Sequence, residues 1–152
     1  MKNFHSITIT VFAKEDDSLE EVIEGLKKLF SFDLEKEKIK IEKKKATGFD
    51  DKKIEILSIK IEKQKHIKKF AENLFKILKE GQKMQIKDEL ETRIDKEGFF
   101  YIRFDKKSWV NDRKLFITDE GDCYHIRFKI AAYPCNKENA IQVVKELMQK
   151  HF

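Results

Sequence analysis

The apolar positions of this chain change period along its length, and each change marks an element. Ile7, Ile9, Val11 and Ala13 alternate with Ser6, Thr8, Thr10 and Phe12, the period-two signature of a strand rich in β-branched residues. Asp16-Asp17-Ser18 then leads into Leu19, Val22, Ile23, Leu26, Leu29 and Phe30 at helical spacing. Ser18 and Glu21 make a capping box, which predicts a helix from Ser18 to about Phe30. Ile39 and Ile41, set among Lys38, Lys40 and Glu42, predict a second strand with one charged face. Thr47 to Asp51 makes the connection to a third, where Ile54, Ile56, Ile59 and Ile61 change phase near Leu57, the pattern a bulge produces.

Helical spacing returns with Ile67, Phe70, Ala71, Leu74, Ile77 and Leu78, and Gly81 is placed to end or interrupt that helix. Gln82 to Thr92, carrying Met84, Ile86 and Leu90, predicts a further short helix. Two strands follow, Phe99 to Phe104 and Tyr124 to Tyr133, separated by a mostly polar excursion that contains Trp109, Leu115, Phe116 and Ile117. Pro134 stops the last strand. Asn136 then caps a final helix whose stripe is Ala140, Val143, Val144, Leu147 and Met148. The order β-α-β-β-α-(α)-β-β-α predicts an α/β (α+β) two-layer sandwich. It has a largely antiparallel sheet of about five strands, three or four helices on one face, and the other face open.

Composition narrows the class. A chain of 152 residues is expected to form a single domain that buries about two-thirds of its unfolded surface, so it needs neither metal nor disulfide to fold. Cys123 and Cys135 have no second Cys or His pair at ligand spacing, and His5, His66, His125 and His151 are scattered. No metal and no cofactor are expected. No apolar run approaches the roughly 20 residues of a membrane span, and Met1-Lys2-Asn3-Phe4-His5 lacks a secretory apolar region. A cytoplasmic protein with no membrane partner is expected.

Charged residues are 40% of the chain while the net charge is only +5, so most charges cancel and composition is a weak sign of nucleic acid. The cations are nearly all lysine, a habit shared with hyperthermophile proteins. Arginine occurs only at Arg93, Arg103, Arg113 and Arg127, and two of these fall in the aromatic strands. Arginine stacks on rings and forks onto phosphate better than lysine does.

Alternation in those strands separates two surfaces. Phe99, Tyr101 and Arg103 oppose Phe100, Ile102 and Phe104, while His125, Arg127, Lys129 and Tyr133 oppose Tyr124, Ile126, Phe128 and Ile130. Paired, the strands would gather Phe99, Tyr101, Arg103, His125, Arg127, Lys129 and Tyr133 on one side. Single-stranded RNA suits such a surface, because rings stack unpaired bases for ~1–3 kcal/mol each and cations neutralise phosphates. A plainer reading is that cross-strand aromatic pairs stabilise the sheet without any ligand, and the same face would also serve a homodimer. Gly98 to Phe104 approaches the aromatic strand of RNA-recognition-motif domains, but Glu97 and Phe100 break that pattern and it falls too late in the chain.

Lys43-Lys44-Lys45, extended by Lys36, Lys38 and Lys40, is the densest basic run and suits a phosphate backbone, although Glu35, Glu37 and Glu42 dilute it into an ordinary solvated strand end. Lys106 and Lys107 beside Trp109 form a smaller cationic and aromatic group, and a lone tryptophan is more often an anchor in a core or interface. No phosphate-cradling glycine loop, Ser/His/Asp order or metal signature is present, so no enzyme is expected.

The last third of the chain carries a resemblance. Glu89-Leu90-Glu91-Thr92-Arg93-Ile94-Asp95, Tyr101-Ile102-Arg103-Phe104-Asp105-Lys106, and Ala132-Tyr133-Pro134 followed by Asn139-Ala140 and Val144-Lys145-Glu146-Leu147 are similar to the archaeal RNA-binding family described as predicted exosome subunits. The likeness extends more weakly to the opening strand. It implies a fold like that of the 5S-RNA-binding protein of the large ribosomal subunit. It further implies RNA as a partner, and the exosome or other RNA-processing proteins as further ones. No catalytic motif comes with it. Gly48-Phe49-Asp50-Asp51 departs from the family's Gly-Asn-Pro-like turn, and Lys107 stands where glutamine is expected. The resulting expectation is a non-catalytic RNA-binding protein, with a protein-interaction or dimerisation module as the alternative.

Overall fold

Alternating side chains need a sheet to alternate across, and the computed structural model, which describes residues 2–150, supplies one. Strands β1 (Phe4–Lys14), β2 (Glu42–Thr47), β3 (Lys53–Ile61), β4 (Phe99–Asp105) and β5 (Cys123–Ile130) form an open antiparallel sheet in the order β2-β3-β1-β5-β4. Six α-helices accompany them among the described residues: α1 (Leu19–Lys28), α2 (Gln64–Ile77), α3 (Glu80–Asp88), α4 (Leu90–Arg93), α5 (Lys106–Asp112) and α6 (Lys137–Lys150). This is the predicted α+β class.

The described residues divide into two compact units, and β1, β4 and β5 each contribute to both. Among the described residues the first comprises 2–7, Ile61–Ile102 and 127–150. Its core is built of rings. Phe128 lies 4.9 Å from Phe4, 5.1 Å from Phe100 in a stacked pair, and 6.5 Å from Phe70 of α2. Asn136 starts α6 as predicted, its Oδ1 accepting from Asn139 N at 2.8 Å.

The second unit comprises Thr8–Lys60 and Arg103–Ile126. Ser18 caps α1, its Oγ accepting from Glu21 N at 3.3 Å. Trp109 Nε1 donates to Gly25 O at 2.6 Å and the Tyr124 hydroxyl donates to Val22 O at 2.8 Å. Two carbonyls of α1 are thereby tied to α5 and β5, and Trp109 is the core anchor its isolation suggested.

Six features differ from the sequence reading for identifiable reasons. Ile39 and Ile41 lie outside any strand, and the lysine run itself forms β2. As an edge strand with its lysines in water, β2 is placed by backbone pairing and not by burial, so hydropathy carried no signal for it. The expected bulge near Leu57 is absent from the pairing with β2, whose register runs unbroken from Glu42 opposite Ser58 to Thr47 opposite Lys53. Leu57, Ile59 and Ile61 are buried while Ile54 and Ile56 point to the other side, so a strand apolar on both faces imitated a phase change.

Gly81 sits inside the first turn of α3, and α2 ends earlier because Leu78 turns extended and buries its side chain. The expected helix from Gln82 to Thr92 is two helices, α3 and α4. The polar excursion holds α5, started by Asp105, whose Oδ2 accepts from Ser108 N at 3.0 Å and Ser108 Oγ at 2.7 Å. Finally, β5 stops at Ile130, three residues short of Tyr133.

Candidate nucleic-acid interface

Burial along the two late strands follows the predicted alternation. Phe100, Ile102 and Phe104 of β4 and Tyr124, Ile126, Phe128 and Ile130 of β5 are buried, whereas Phe99, Tyr101, Arg103 and His125 are half-buried and Arg127 and Lys129 exposed.

In the first unit four of the expected residues meet. The Arg127 guanidinium lies 4.8 Å from the centre of the Phe99 ring and Lys129 Nζ lies 5.9 Å from it. Phe99 and Tyr101 have ring centres 6.4 Å apart, tilted by 39°. Both distances place the cations over the electron-rich face of the ring, where they are attracted to it. A plane flanked by two positive groups offers stacking to a base and charge to its phosphates. The guanidinium is itself a flat surface on which a base stacks.

Asp95 holds this group in place and was missed by the sequence reading. Its Oδ2 accepts from the Tyr101 hydroxyl at 2.9 Å, while its Oδ1 accepts from Phe99 N at 2.9 Å and Glu97 N at 3.0 Å. Burial first, then the hydrogen bond and charge of Asp95, pushes the Tyr101 hydroxyl above the ordinary phenol range. The available signal was Asp95-Lys96-Glu97-Gly98, a turn in which aspartate bonds the backbone ahead of it and Gly98 takes φ +84°.

Tyr133 belongs to the same unit but not to the strand face. It is 97% exposed in the segment after β5. That segment is fastened at both ends to the 95–98 turn, by Ile130 N donating to Gly98 O at 2.9 Å and Cys135 Sγ donating to Glu97 O at 3.3 Å.

The remaining expected residues lie in the second unit. Arg103 and His125 occupy outward positions of β4 and β5, Lys107 is exposed in the first turn of α5, and Lys43, Lys44 and Lys45 are exposed on β2. Lys106 does not fit the expectation. Its side chain is 3% exposed and its Nζ lies 2.6 Å from Asp17 Oδ2, 3.0 Å from Phe12 O and 3.6 Å from Asp122 Oδ2. Asp122 also receives Lys14 Nζ at 2.9 Å. Two carboxylates and a carbonyl use the Lys106 ammonium internally, which withdraws it from any RNA contact. Among the described residues no group of three or more His, Cys, Asp or Glu is arranged to hold a metal ion, and no helix is long and apolar enough to cross a membrane. His151 lies outside the described residues.

A family model described as RNA binding matches residues 6–132. The chain belongs to this RNA-binding family. The RNA-binding protein PAB1135 of Pyrococcus abyssi is 30% identical over 146 residues, covering 95% of this chain and 94% of that one. The crystal structure of protein AF2318 from Archaeglobus fulgidus, of the family DUF54, matches with a TM-score of 0.84 at 28% identity over 95% of this chain and 99% of that one. Mth689, a DUF54 protein from Methanothermobacter thermautotrophicus, shares the fold with a TM-score of 0.77 at 21% identity over 97% and 99% of the two chains. The matched span includes Phe99, Tyr101, Arg127 and Lys129 and stops one residue before Tyr133.

Proposed function

We propose that this member of the RNA-binding family binds RNA without catalysing a reaction on it, and that Phe99, Tyr101, Arg127 and Lys129 form the principal contact. The observation behind this reading is the pair of cations over Phe99, which joins stacking and phosphate attraction within one side-chain group. Arg127 and Lys129 take phosphates, Phe99 and Tyr101 take bases, and Tyr133 extends the stacking beyond the strand. Within the second unit, considered by itself, Arg103, Lys107 and the Lys43 to Lys45 run are further candidate phosphate contacts and His125 a further candidate ring contact. The resemblance to predicted exosome subunits extends the proposal to a cytoplasmic accessory of RNA processing or decay, in company with exosome or similar proteins.

Retention of total cellular RNA on the purified protein, titrated with salt, tests the reading. Wild-type protein should retain RNA with a steep salt dependence, and an Arg127→Ala/Lys129→Ala variant should lose both retention and about two units of the salt slope. An unchanged slope would move the contact elsewhere. A protein that retains no RNA and instead forms a concentration-dependent dimer would establish the alternative function.

A further inference from the structure

The second unit contains a small hollow of about 280 Å³ walled by Thr10, Val11, Phe12, Gly121, Asp122, Cys123 and His125. Phe12 is its unusual member. It occupies the side of β1 that otherwise carries Ser6, Thr8 and Thr10, and it is 45% exposed while Val11 and Ala13 on the opposite side are buried. A phenylalanine at such a position is placed neither by the core nor by the polar pattern of its own strand face.

Its surroundings are those a heterocycle needs. The volume is just below the roughly 300–1,000 Å³ of sites for drug-sized molecules and matches a single flat ring system. Phe12 supplies an aromatic surface, while Thr10 and His125 are wall residues with polar side chains. The Asp122 carboxylate is fixed by Lys14 at 2.9 Å, and Lys106 is 3.6 Å away. β4 lies beside β5 in the sheet, and Arg103 takes an outward position on β4 as Cys123 and His125 do on β5, so its charge opposes the rise that burial imposes on the Cys123 thiol. An arginine beside an aromatic-walled hollow places a phosphate partner next to a base partner.

We propose that this hollow receives one unpaired nucleobase, stacked on Phe12, with the adjoining phosphate on Arg103. The inference rests on the RNA-binding reading above and adds a substrate class to it: RNA with at least one unpaired nucleotide. A duplex, whose bases are stacked and edge-paired, presents nothing that enters.

The test uses the full chain and two fluorescein-labelled probes, a 12-nucleotide single strand and the duplex of the same sequence, followed by anisotropy. Phe12→Ala should weaken single-strand binding by roughly tenfold, Phe12→Trp should preserve it, and duplex binding should not change in either variant. Unchanged thermal melting of Phe12→Ala separates loss of stacking from loss of fold. A single strand carrying 4-thiouridine should crosslink to the Phe12 or Cys123 peptide in wild-type protein. Three results would overturn the proposal. If Phe12→Ala binds the single strand as wild type does while Arg127→Ala does not, the hollow is no base site and the RNA reading stands. If the duplex binds more tightly and is equally affected by Phe12→Ala, the unpaired-base specificity is wrong. If neither probe binds, both readings fall together.

Discussion

Lys106 Nζ lies 2.6 Å from Asp17 Oδ2, with 3% of the lysine side chain and 24% of the aspartate reaching solvent. Burial alone would raise the Asp17 carboxyl, but hydrogen bonds from Lys106 and the Lys14 backbone and the charges of both lysines overcome it and hold the group below its ordinary value of 3.8. A carboxyl depressed on folding stabilises the fold fully above its unfolded pKa. That contribution fades as pH falls through the folded value. Wild-type stability should therefore drop on acidification below about pH 4, and an Asp17→Asn variant should be less stable at pH 7 but show a flatter acid limb. Lys106→Ala should cost about 3 kcal/mol at pH 7, the lower end expected when a buried pair loses one member. Urea denaturation at pH 7 and pH 3 measures both, and an acid limb unaltered in Asp17→Asn would assign the effect to another group.

Phe99 and Arg127 touch each other but should fail differently when removed. Phe99→Ala takes away a stacking plane, so RNA affinity should fall by about tenfold with the salt slope unchanged. Arg127→Ala takes away a phosphate partner, so the slope should drop by about one, and Arg127→Lys should restore the slope without the full affinity because an ammonium does not stack. Titrations at several salt concentrations resolve the two patterns.

A methyl group at Gly25 would run into the Tyr124 hydroxyl, which itself donates to Val22 O at 2.8 Å. Gly25→Ala should destabilise the protein by about 1–3 kcal/mol, overriding the gain of roughly 1 kcal/mol that alanine ordinarily gives in a helix. Tyr124→Phe should cost about 1–2 kcal/mol by leaving the buried Val22 carbonyl without that donor. Because the same hydroxyl is involved twice, the double variant should be more stable than the two losses added together. Additive losses in a denaturation cycle would show that the clash lies elsewhere.

Lys43, Lys44 and Lys45 occupy an edge strand and are all exposed, the arrangement that keeps an unpaired strand edge from recruiting a second chain. Replacing all three by valine should produce concentration-dependent aggregation on mild warming with little loss of monomer stability. Light scattering alongside circular dichroism is the measurement. A triple variant as soluble as wild type would refute a guarding role.

Much of the fold was legible because most of it obeys a period. β1, α1, α6 and the two late strands have apolar stripes or clear caps, as at Ser18 and Asn136, and their positions followed from those. β2 was misplaced because an exposed edge writes no hydropathy pattern. α5 was missed because about two turns around Trp109 are too short to show a stripe, although Asp105 three residues before Ser108 was a visible cap. In the candidate site the ring and cation residues were legible from alternation. The inward turn of Lys106 was not, since nothing near it in sequence announces Asp17 and Asp122 as its partners. Phe12 hid for the opposite reason: its place in an alternating strand counted it with the polar side, where a ring looked incidental.

Asp95 accepts from the Tyr101 hydroxyl and the Phe99 backbone with one carboxylate, so part of the ordering of Tyr101 is done during folding and less rotamer freedom remains to be lost when a ligand arrives. Loosening that grip, as in Tyr101→Phe, should leave the arrival rate of an oligonucleotide nearly untouched and shorten its residence time.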